Sequence, residues 1–199
     1  MFLRHKTLFL SLFISLPLLF GCASSSSSAP AAGPPTNNKS SFDRREISSA
    51  MSDYFGVTSE AAGSVVERIF RDLGEPNAYI YGEEGSVAIG IGLRYGKGTL
   101  QMADGSQTKV YWQGPSIGWD VGGNGAKVFT LVYNIQSADE IYQRFPGVGG
   151  SAYLVAGMGV NYQRSNSISL APIRTGVGLR LGVNVGYLAY SKRRRFIPL

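Results

Sequence analysis

Hydrophobic residues change their spacing along the chain near Asn77, and the change separates a helical segment from a long β segment. Across Ser59–Leu73 the apolar residues recur every three or four positions, which predicts an amphipathic helix. Thr58 or Ser59 can cap its first turn, and Gly74 and Pro76 mark its end. Residues 42–55 are mixed and polar, and this pattern predicts no more than a short strand or turn there.

After Asn77 the period becomes two, as in strands that bury one face. The turn sequence "ADGS" at residues 103–106 predicts a hairpin, and "RSNS" at residues 164–167 predicts another. The stretch 128–135 is apolar on both faces, so it predicts a strand that is covered on both sides. Ser137 and Glu140 form a capping-box pattern that predicts a second short helix.

Three of the predicted strands place glycine on alternate positions and then a polar residue on the same face. The sets are Gly90, Gly92 and Arg94; Gly157, Gly159 and Asn161; and Gly176, Gly178 and Arg180. Glycine inside a strand marks tight curvature or the close approach of another backbone. The glycine face either points inward and forms the polar floor of a ligand site, or points outward under a helix. The aliphatic residues of the opposite face favour the outward arrangement.

About eight strands with short connections and one aliphatic face favour a closed sheet, because closure removes exposed edges. The sequence therefore predicts a mainly β fold. We expect one domain over residues 51–199, a small antiparallel β-barrel of about eight strands with two short helices.

The N-terminal segment has the pattern of an export signal that ends in a lipid anchor. Residues 1–21 combine basic residues with an apolar stretch, which predicts a signal peptide. Cys22 follows Gly21 as in a bacterial lipobox, so we expect cleavage before Cys22 and acylation of its thiol. Residues 22–50 are rich in Ser, Ala, Pro and Asn and predict a disordered tether.

The residue after the cysteine is Ala23 and not Asp. By similarity to lipoproteins of bacteria with two membranes, this favours a periplasmic protein held on the inner leaflet of the outer membrane. Another envelope membrane stays open as the site of the anchor.

Charge narrows the choice of partner. The chain carries 19 Lys and Arg against 13 Asp and Glu, for a net charge of +6, and most of the basic residues follow residue 85. In an exported protein this balance favours an anionic lipid or lipopolysaccharide over nucleic acid. A solvated basic face with no specific partner is the alternative. The run "KRRR" at residues 192–195 could likewise contact an anionic bilayer or remain a solvated tail.

The residue types needed for most catalytic sites are missing. His5 is the only histidine and lies in the predicted signal peptide, and Cys22 is the only cysteine. This excludes His-based triads, His-based zinc sites and haem ligation. Past Glu84, Asp120 is the one acidic residue set among predicted strand residues, and a single carboxylate cannot fill the two roles of a glycosidase. The sequence therefore predicts no enzyme, no metal and no cofactor.

Both tryptophans lie in the aromatic segment "YWQGPSIGWD" at residues 111–120. Such a segment can form a binding surface for sugars or lipid headgroups, or it can pack in the core with its indole N–H groups satisfied. The candidate ligand-binding residues are Arg94, Trp112, Trp119, Asn161 and Arg180. We expect non-catalytic binding of an anionic lipid, lipopolysaccharide or other envelope component; a scaffold for a protein partner is the alternative.

Several long motifs carry a family resemblance over residues 50–192. They are "GIGLRYGKGTL", "VYWQGPSIGWDVGGN", "FTLVYN", "YQRFPGVGGSAYLVAGMGVNY" and "LAPIRTGVGLRLGVNVGYL". Together they resemble the envelope integrity protein A family. The resemblance implies a periplasmic eight-stranded β-barrel that supports the cell envelope, without known catalytic residues. A weaker resemblance to SYLF-type lipid-binding domains rests on a "YGKG" turn and a "GWD" segment.

Overall fold

The structure is a computed structural model, and it describes residues 39–121, 125–175 and 186–195, without side chains at 86–91 and 116–121. This part contains two α-helices, one 3₁₀ helix and nine strands. The helices are α1 (Arg44–Phe55), α2 (Ser59–Leu73) and the 3₁₀ helix Ala138–Ile141. The strands are β1 (Ala78–Met102), β2 (Gln107–Val121), β3 (Ala126–Tyr133), β4 (Arg144–Pro146), β5 (Tyr153–Val155), β6 (Met158–Val160), β7 (Gln163–Ser165), β8 (Ile168–Arg174) and β9 (Tyr187–Ser191). The predicted signal peptide and Cys22 lie outside the described residues.

Helix α1 corrects the prediction of a strand or turn at residues 42–55, and the predicted tether boundary at residue 50 falls inside it. The Asp43 side chain accepts hydrogen bonds from the backbone N–H groups of Arg45 and Glu46, while the Glu46 side chain accepts from the backbone of Asp43. This capping box satisfies donors that the first turn would otherwise leave without partners. Burial of Ile47 and Met51 then holds the helix on the sheet. Only two buried apolar residues mark α1, which is why its periodicity is weak.

Helix α2 has the predicted bounds. Thr58 is the cap, and its hydroxyl accepts a hydrogen bond from the backbone N–H of Ala61. Val65, Val66 and Ile69 on its apolar face are fully buried. Neither α1 nor α2, the α-helices of the described part of the chain, has the length and apolar character needed to cross a membrane.

The strands form one antiparallel sheet in the order β4-β9-β2-β1-β3-β8-β6-β5, with β7 also paired to β8. The sheet curls until its two sides meet. Gly147, just after β4, forms a bridge to Gln163 of β7, and the backbone N–H of Val148 donates to the carbonyl oxygen of Tyr162. The mainly β, barrel-like fold with two helices is therefore as predicted.

Strand β1 is continuous over 25 residues and pairs with two different strands. Its first half pairs with β3 and its second half pairs with β2. The backbone N–H of Ala103 donates to the carbonyl oxygen of Asn77, so the two ends of this long strand meet. Residues 95–98, the "YGKG" segment, lie within β1 and do not form the expected turn.

The two halves of β1 cross where Gly82 meets Gly98. A Cβ atom added to Gly82 would lie 2.2 Å from the carbonyl oxygen of Lys97 and 2.6 Å from Cα of Gly98. A Cβ atom on Gly98 would lie 2.4 Å from the carbonyl oxygen of Tyr81. Only glycine allows backbones to approach this closely, so here the expected close approach at strand glycines is present.

Two apolar clusters lie on opposite faces of the sheet. Even-numbered residues of β1 such as Ile80 and Leu100 join Trp112 in an interior cluster to which neither α1 nor α2 contributes. The outer face of β3 and β8 packs under α1 and α2 through residues such as Phe129 and Ile173. Strand β3 is accordingly buried on both faces, as predicted.

This arrangement contradicts the favoured orientation of the glycine face. Arg94 lies on the same face of β1 as Ile80 and Leu100, and its side chain points inward to Glu84. The helices cover the other face, where Tyr79 and Tyr81 lie. The prediction failed because the helical layer buries the outer face as well, so bulky residues do not identify the inside.

Two further local expectations need correction. Ala156 and Gly157 have φ values of 50° and 76° and form the turn between β5 and β6, so Gly157 is not part of a strand. The segment after Ser137 is one turn of 3₁₀ helix, and the Ser137 side chain makes no cap hydrogen bond to its backbone. The Glu140 carboxylate accepts from the backbone N–H of Gln136 instead.

Candidate functional site

A buried ionic cluster joins three of the five candidate ligand-binding residues. Glu84 lies at its centre, and its side chain is 7% exposed. The Arg174 Nε donates to Oε1 of Glu84 at 3.0 Å, and the Arg94 guanidinium lies 3.6 Å from the same oxygen. Trp112 Nε1 donates to the other carboxylate oxygen at 2.8 Å. Asn161 completes the cluster, because its Oδ1 accepts a 2.9 Å hydrogen bond from Arg174.

The electrostatics of this cluster keep Glu84 ionised. Burial by itself would raise the pKa of its carboxyl group, because the charged form loses its hydration. The positive charges of Arg174 and Arg94 and the hydrogen bonds from Arg174 and Trp112 outweigh burial and lower the pKa to about 2. Glu84 in turn raises the pKa of Arg174 against the opposing effect of burial.

Trp112 is a core residue whose indole N–H is satisfied, one of the two possibilities that its sequence context leaves open. The residue is 3% exposed, and its ring lies against Gly96, its direct neighbour on β1. A Cβ atom on Gly96 would lie 2.0 Å from the ring, so the missing side chain provides the space that the indole fills. Binding of a ligand by Trp112 would require access to the sheet interior.

The remaining candidates are placed only in part. Trp119 lies in β2 opposite Ile89, and its side chain is outside the described part. Arg180 lies outside the described residues altogether. The ligand-binding roles of all five residues stay predictions. Glu84 and Arg174 are not among the candidates, although Glu84 contacts Arg94 and Trp112 directly and is joined to Asn161 through Arg174.

A second site lies on the outer surface and was not predicted. It is an open groove with a volume of about 360 Å³, which we call the tyrosine–lysine groove. The lining residues are Tyr54, Tyr81, Gly82, Glu83, Lys97, Gly98, Thr99, Lys109 and Tyr111. They come from the end of α1, both halves of β1 and the start of β2, so the groove lies beside the Gly82–Gly98 crossing.

The register of β1 and β2 sets the spacing of the polar groups in the groove. Lys97 lies directly opposite Tyr111, and Thr99 lies directly opposite Lys109. All four side chains share one face, and the two lysines are diagonal neighbours, a relationship that spans about 7–8 Å. The "ADGS" turn fixes this register. The pairing of these four residues could therefore be predicted from the sequence.

Tyr54 forms the wall of the groove on the side of α1. Its hydroxyl donates to the carbonyl oxygen of Gly82, and its ring packs edge-on against Tyr81. Burial, together with the nearby Glu83 carboxylate, raises the pKa of Tyr54 to about 12. The Lys127 Nζ donates to the backbone oxygen of Tyr54 at 2.7 Å and lies over its ring. These contacts fix the wall before any ligand arrives.

Lys97 and Lys109 differ from the other lysines of the described part. Lys39 pairs with Glu46, Lys127 bonds the backbone of Tyr54, and Lys192 pairs with Asp139. Neither Lys97 nor Lys109 makes a side-chain hydrogen bond or ion pair with any described residue. The two unpaired lysines therefore lie together in the one groove, which gives it an excess of positive charge.

No cluster of three or more His, Cys, Asp or Glu side chains that could hold a metal ion occurs among residues 39–121, 125–175 and 186–195. The prediction that the protein works without metal, cofactor or catalysis stays a prediction.

Comparison with known proteins identifies the family. The model of the envelope integrity protein A family matches residues 40–199, which include the whole buried cluster and the whole groove. The chain belongs to the envelope integrity protein A family. A crystal structure of a protein from Brucella abortus, described as beta-barrel-like and uncharacterized, is 47% identical in sequence. It superposes with a TM-score of 0.74, and the match covers 80% of this chain and 99% of that one.

No curated protein matches the chain in sequence. Membership of the envelope integrity protein A family indicates a role in the integrity of the cell envelope. The family name identifies neither a ligand nor a reaction, so the molecular role must be argued from the groove and the buried cluster.

Proposed function

We propose that this member of the envelope integrity protein A family is a periplasmic lipoprotein, held in a membrane through Cys22, that binds an anionic envelope component without catalysis. The component is an anionic lipid or lipopolysaccharide. One observation carries the proposal: the described lysines without a side-chain partner among the described residues, Lys97 and Lys109, are diagonal neighbours in the tyrosine–lysine groove.

The surroundings of the two lysines favour an anion. Both lysines are exposed, and in water such cations attract anions at moderate cost in desolvation. Lys127 of β3 lies directly opposite Glu83 and bonds the backbone of Tyr54, so it adds a third positive charge next to the groove. Glu83 is the one carboxylate that lines the groove, so the lining residues carry a net positive charge.

A tether from Cys22 would hold this groove near a bilayer. Sixteen residues lie between Cys22 and Lys39, where the described part begins. If these residues form the flexible tether predicted from their composition, they would span on the order of 20–25 Å, which would keep the described part within reach of the anchoring membrane.

Native mass spectrometry of full-length protein, extracted from envelopes in detergent, tests the proposal. We expect the wild type to carry a bound anionic lipid or lipopolysaccharide and the double variant Lys97→Gln/Lys109→Gln to carry much less. The variant Arg68→Gln/Arg71→Gln is the matched control, because it removes the same charge from exposed positions of α2.

The result that would overturn the proposal is a wild-type protein free of lipid that carries a stoichiometric protein partner. That result would support the scaffolding alternative. Glu83→Gln supplies a change of opposite sign, since removal of the negative charge should increase the fraction of protein with bound anion. Equal loading of all four proteins would show that the anion binds elsewhere.

A further inference from the structure

The groove combines groups that no simple anion would use together. Lys97, Thr99 and Lys109 share one face of β1 and β2 with the ring of Tyr111, and the carboxylate of Glu83 also lines the groove. A ligand that satisfies all of them must carry an anionic group, hydroxyl groups and an apolar face. Resting on the proposed function, we infer that the groove binds a phosphorylated sugar.

The lysine pair fits a phosphate monoester. Such a group carries about −1.5 to −2 charges near pH 7, which matches two ammonium groups better than the single charge of a carboxylate does. Lysine binds phosphate as a point charge on a flexible stem, so two diagonal lysines can converge on one phosphate. The hydroxyl of Thr99, directly opposite Lys109, supplies a further donor on the same face.

Tyr111 fits the sugar ring. Tyr111 lies directly opposite Lys97, so a sugar ring attached to a phosphate at Lys97 would lie next to the tyrosine ring. Tyr54 and Tyr81 pack against other aromatic rings, whereas Tyr111 makes no ring contact with the described residues. Its half-buried ring has an apolar face and a polar hydroxyl, which suits the C–H face and the hydroxyl groups of a sugar.

Glu83 favours a sugar over a second anionic group. Its carboxylate is exposed, lines the groove and makes no ion pair within the described part of the chain. A carboxylate repels a phosphate but accepts hydrogen bonds from hydroxyl groups. The mixed charges of the groove therefore suit a ligand that is anionic at one end and hydroxylated at the other.

Three soluble probes separate the two parts of this ligand: inorganic phosphate, glucose and glucose 1-phosphate. Their dissociation constants can be measured by NMR on detergent-solubilised full-length protein with ¹³C-labelled tyrosine rings. We expect glucose 1-phosphate to bind at least about tenfold more tightly than either of the other probes, a difference of about 1.4 kcal/mol.

The variants assign the groups. Tyr111→Ala should reduce the affinity for glucose 1-phosphate to that for inorganic phosphate. Tyr111→Phe, which keeps the ring, should retain most of the affinity for glucose 1-phosphate. Lys97→Gln/Lys109→Gln should reduce the affinity for both phosphate-containing probes. Arg68→Gln/Arg71→Gln should change neither affinity.

Failure of the inference and failure of the proposed function give different results. Equal affinity for inorganic phosphate and glucose 1-phosphate, or no effect of Tyr111→Ala, would refute the phosphorylated sugar and leave the anion proposal standing. Tighter binding of phosphatidylglycerol micelles than of lipopolysaccharide micelles would do the same. No binding of any of these anions would refute both.

Discussion

Trp112 Nε1 donates a 2.8 Å hydrogen bond to Oε2 of Glu84, and this bond joins β2 to the first half of β1 inside the sheet. The same carboxylate binds Arg174 of β8, which is 90 residues away in sequence. Glu84 thus connects β1 and β2 to β8, a strand that the backbone ladders pair with neither of them. We therefore expect Glu84 to matter for stability.

Glu84→Gln should destabilise the protein by about 3–5 kcal/mol, because it leaves two buried guanidinium groups without their carboxylate. Urea denaturation followed by circular dichroism measures the change in the free energy of unfolding. Glu67→Gln is the control, since Glu67 pairs with Arg71 on the exposed face of α2, where such a pair contributes at most about 1 kcal/mol. Equal effects of the two substitutions would show that the buried cluster does not stabilise the fold.

The lowered pKa of Glu84 predicts a dependence on pH. Its carboxyl group has an ordinary pKa of 4.5 and a folded pKa of about 2, so the unfolded chain binds the proton at higher pH. The stability that ionised Glu84 contributes is therefore complete above about pH 5 and is lost as the pH falls towards 2. The difference in unfolding free energy between wild type and Glu84→Gln should shrink over this range. A difference in unfolding free energy that stays constant down to about pH 2 would contradict the lowered pKa of Glu84.

Gly82→Ala should destabilise the protein by about 1–3 kcal/mol or more, because the added methyl group meets backbone atoms that cannot rotate away. Gly85→Ala is a matched control three residues along the same strand, where an added Cβ meets nothing within 4 Å. Thermal unfolding of both variants measures the contrast. If Gly82→Ala melted with the control, the two halves of β1 would not cross as closely as described.

Cys22→Ser should move the protein from the detergent phase to the aqueous phase in Triton X-114 partitioning, because the acyl chains would have no attachment point. Labelling of growing cells with radioactive palmitate provides a second measurement, and the label should be lost in this variant. Ser27→Ala in the same segment should change neither result. Palmitate incorporation that survives Cys22→Ser would refute anchoring at this residue.

Much of the fold could be predicted because its signals are local. The periodicity of Ser59–Leu73 and the cap at Thr58 gave α2, and the "ADGS" turn gave the β1–β2 hairpin. Alternation along β1 also placed Arg94 and its neighbouring glycines on one face. Each of these signals depends on residues within one or two turns of one another.

Helix α1 and the β5–β6 turn were missed although their signals are also local. Asp43 and Glu46 form a capping box, but only Ile47 and Met51 of α1 are buried. Because most of its residues are polar, the helix shows no clear apolar periodicity. Ala156 adopts a positive φ, which is uncommon for alanine, so the sequence pattern predicts a strand at Gly157 where the chain in fact turns.

The sequence by itself determined a mainly β domain with a helical start, a glycine-rich polar face and a shortage of catalytic side chains. Only the tertiary structure decided which face lies inside, because the helices bury the outer face and both faces are therefore apolar. It also decided that Glu84 meets Arg174, and that Tyr54 of α1 forms a groove with Lys97 and Lys109. These groups are far apart in the chain, and only the curled sheet brings them within contact distance.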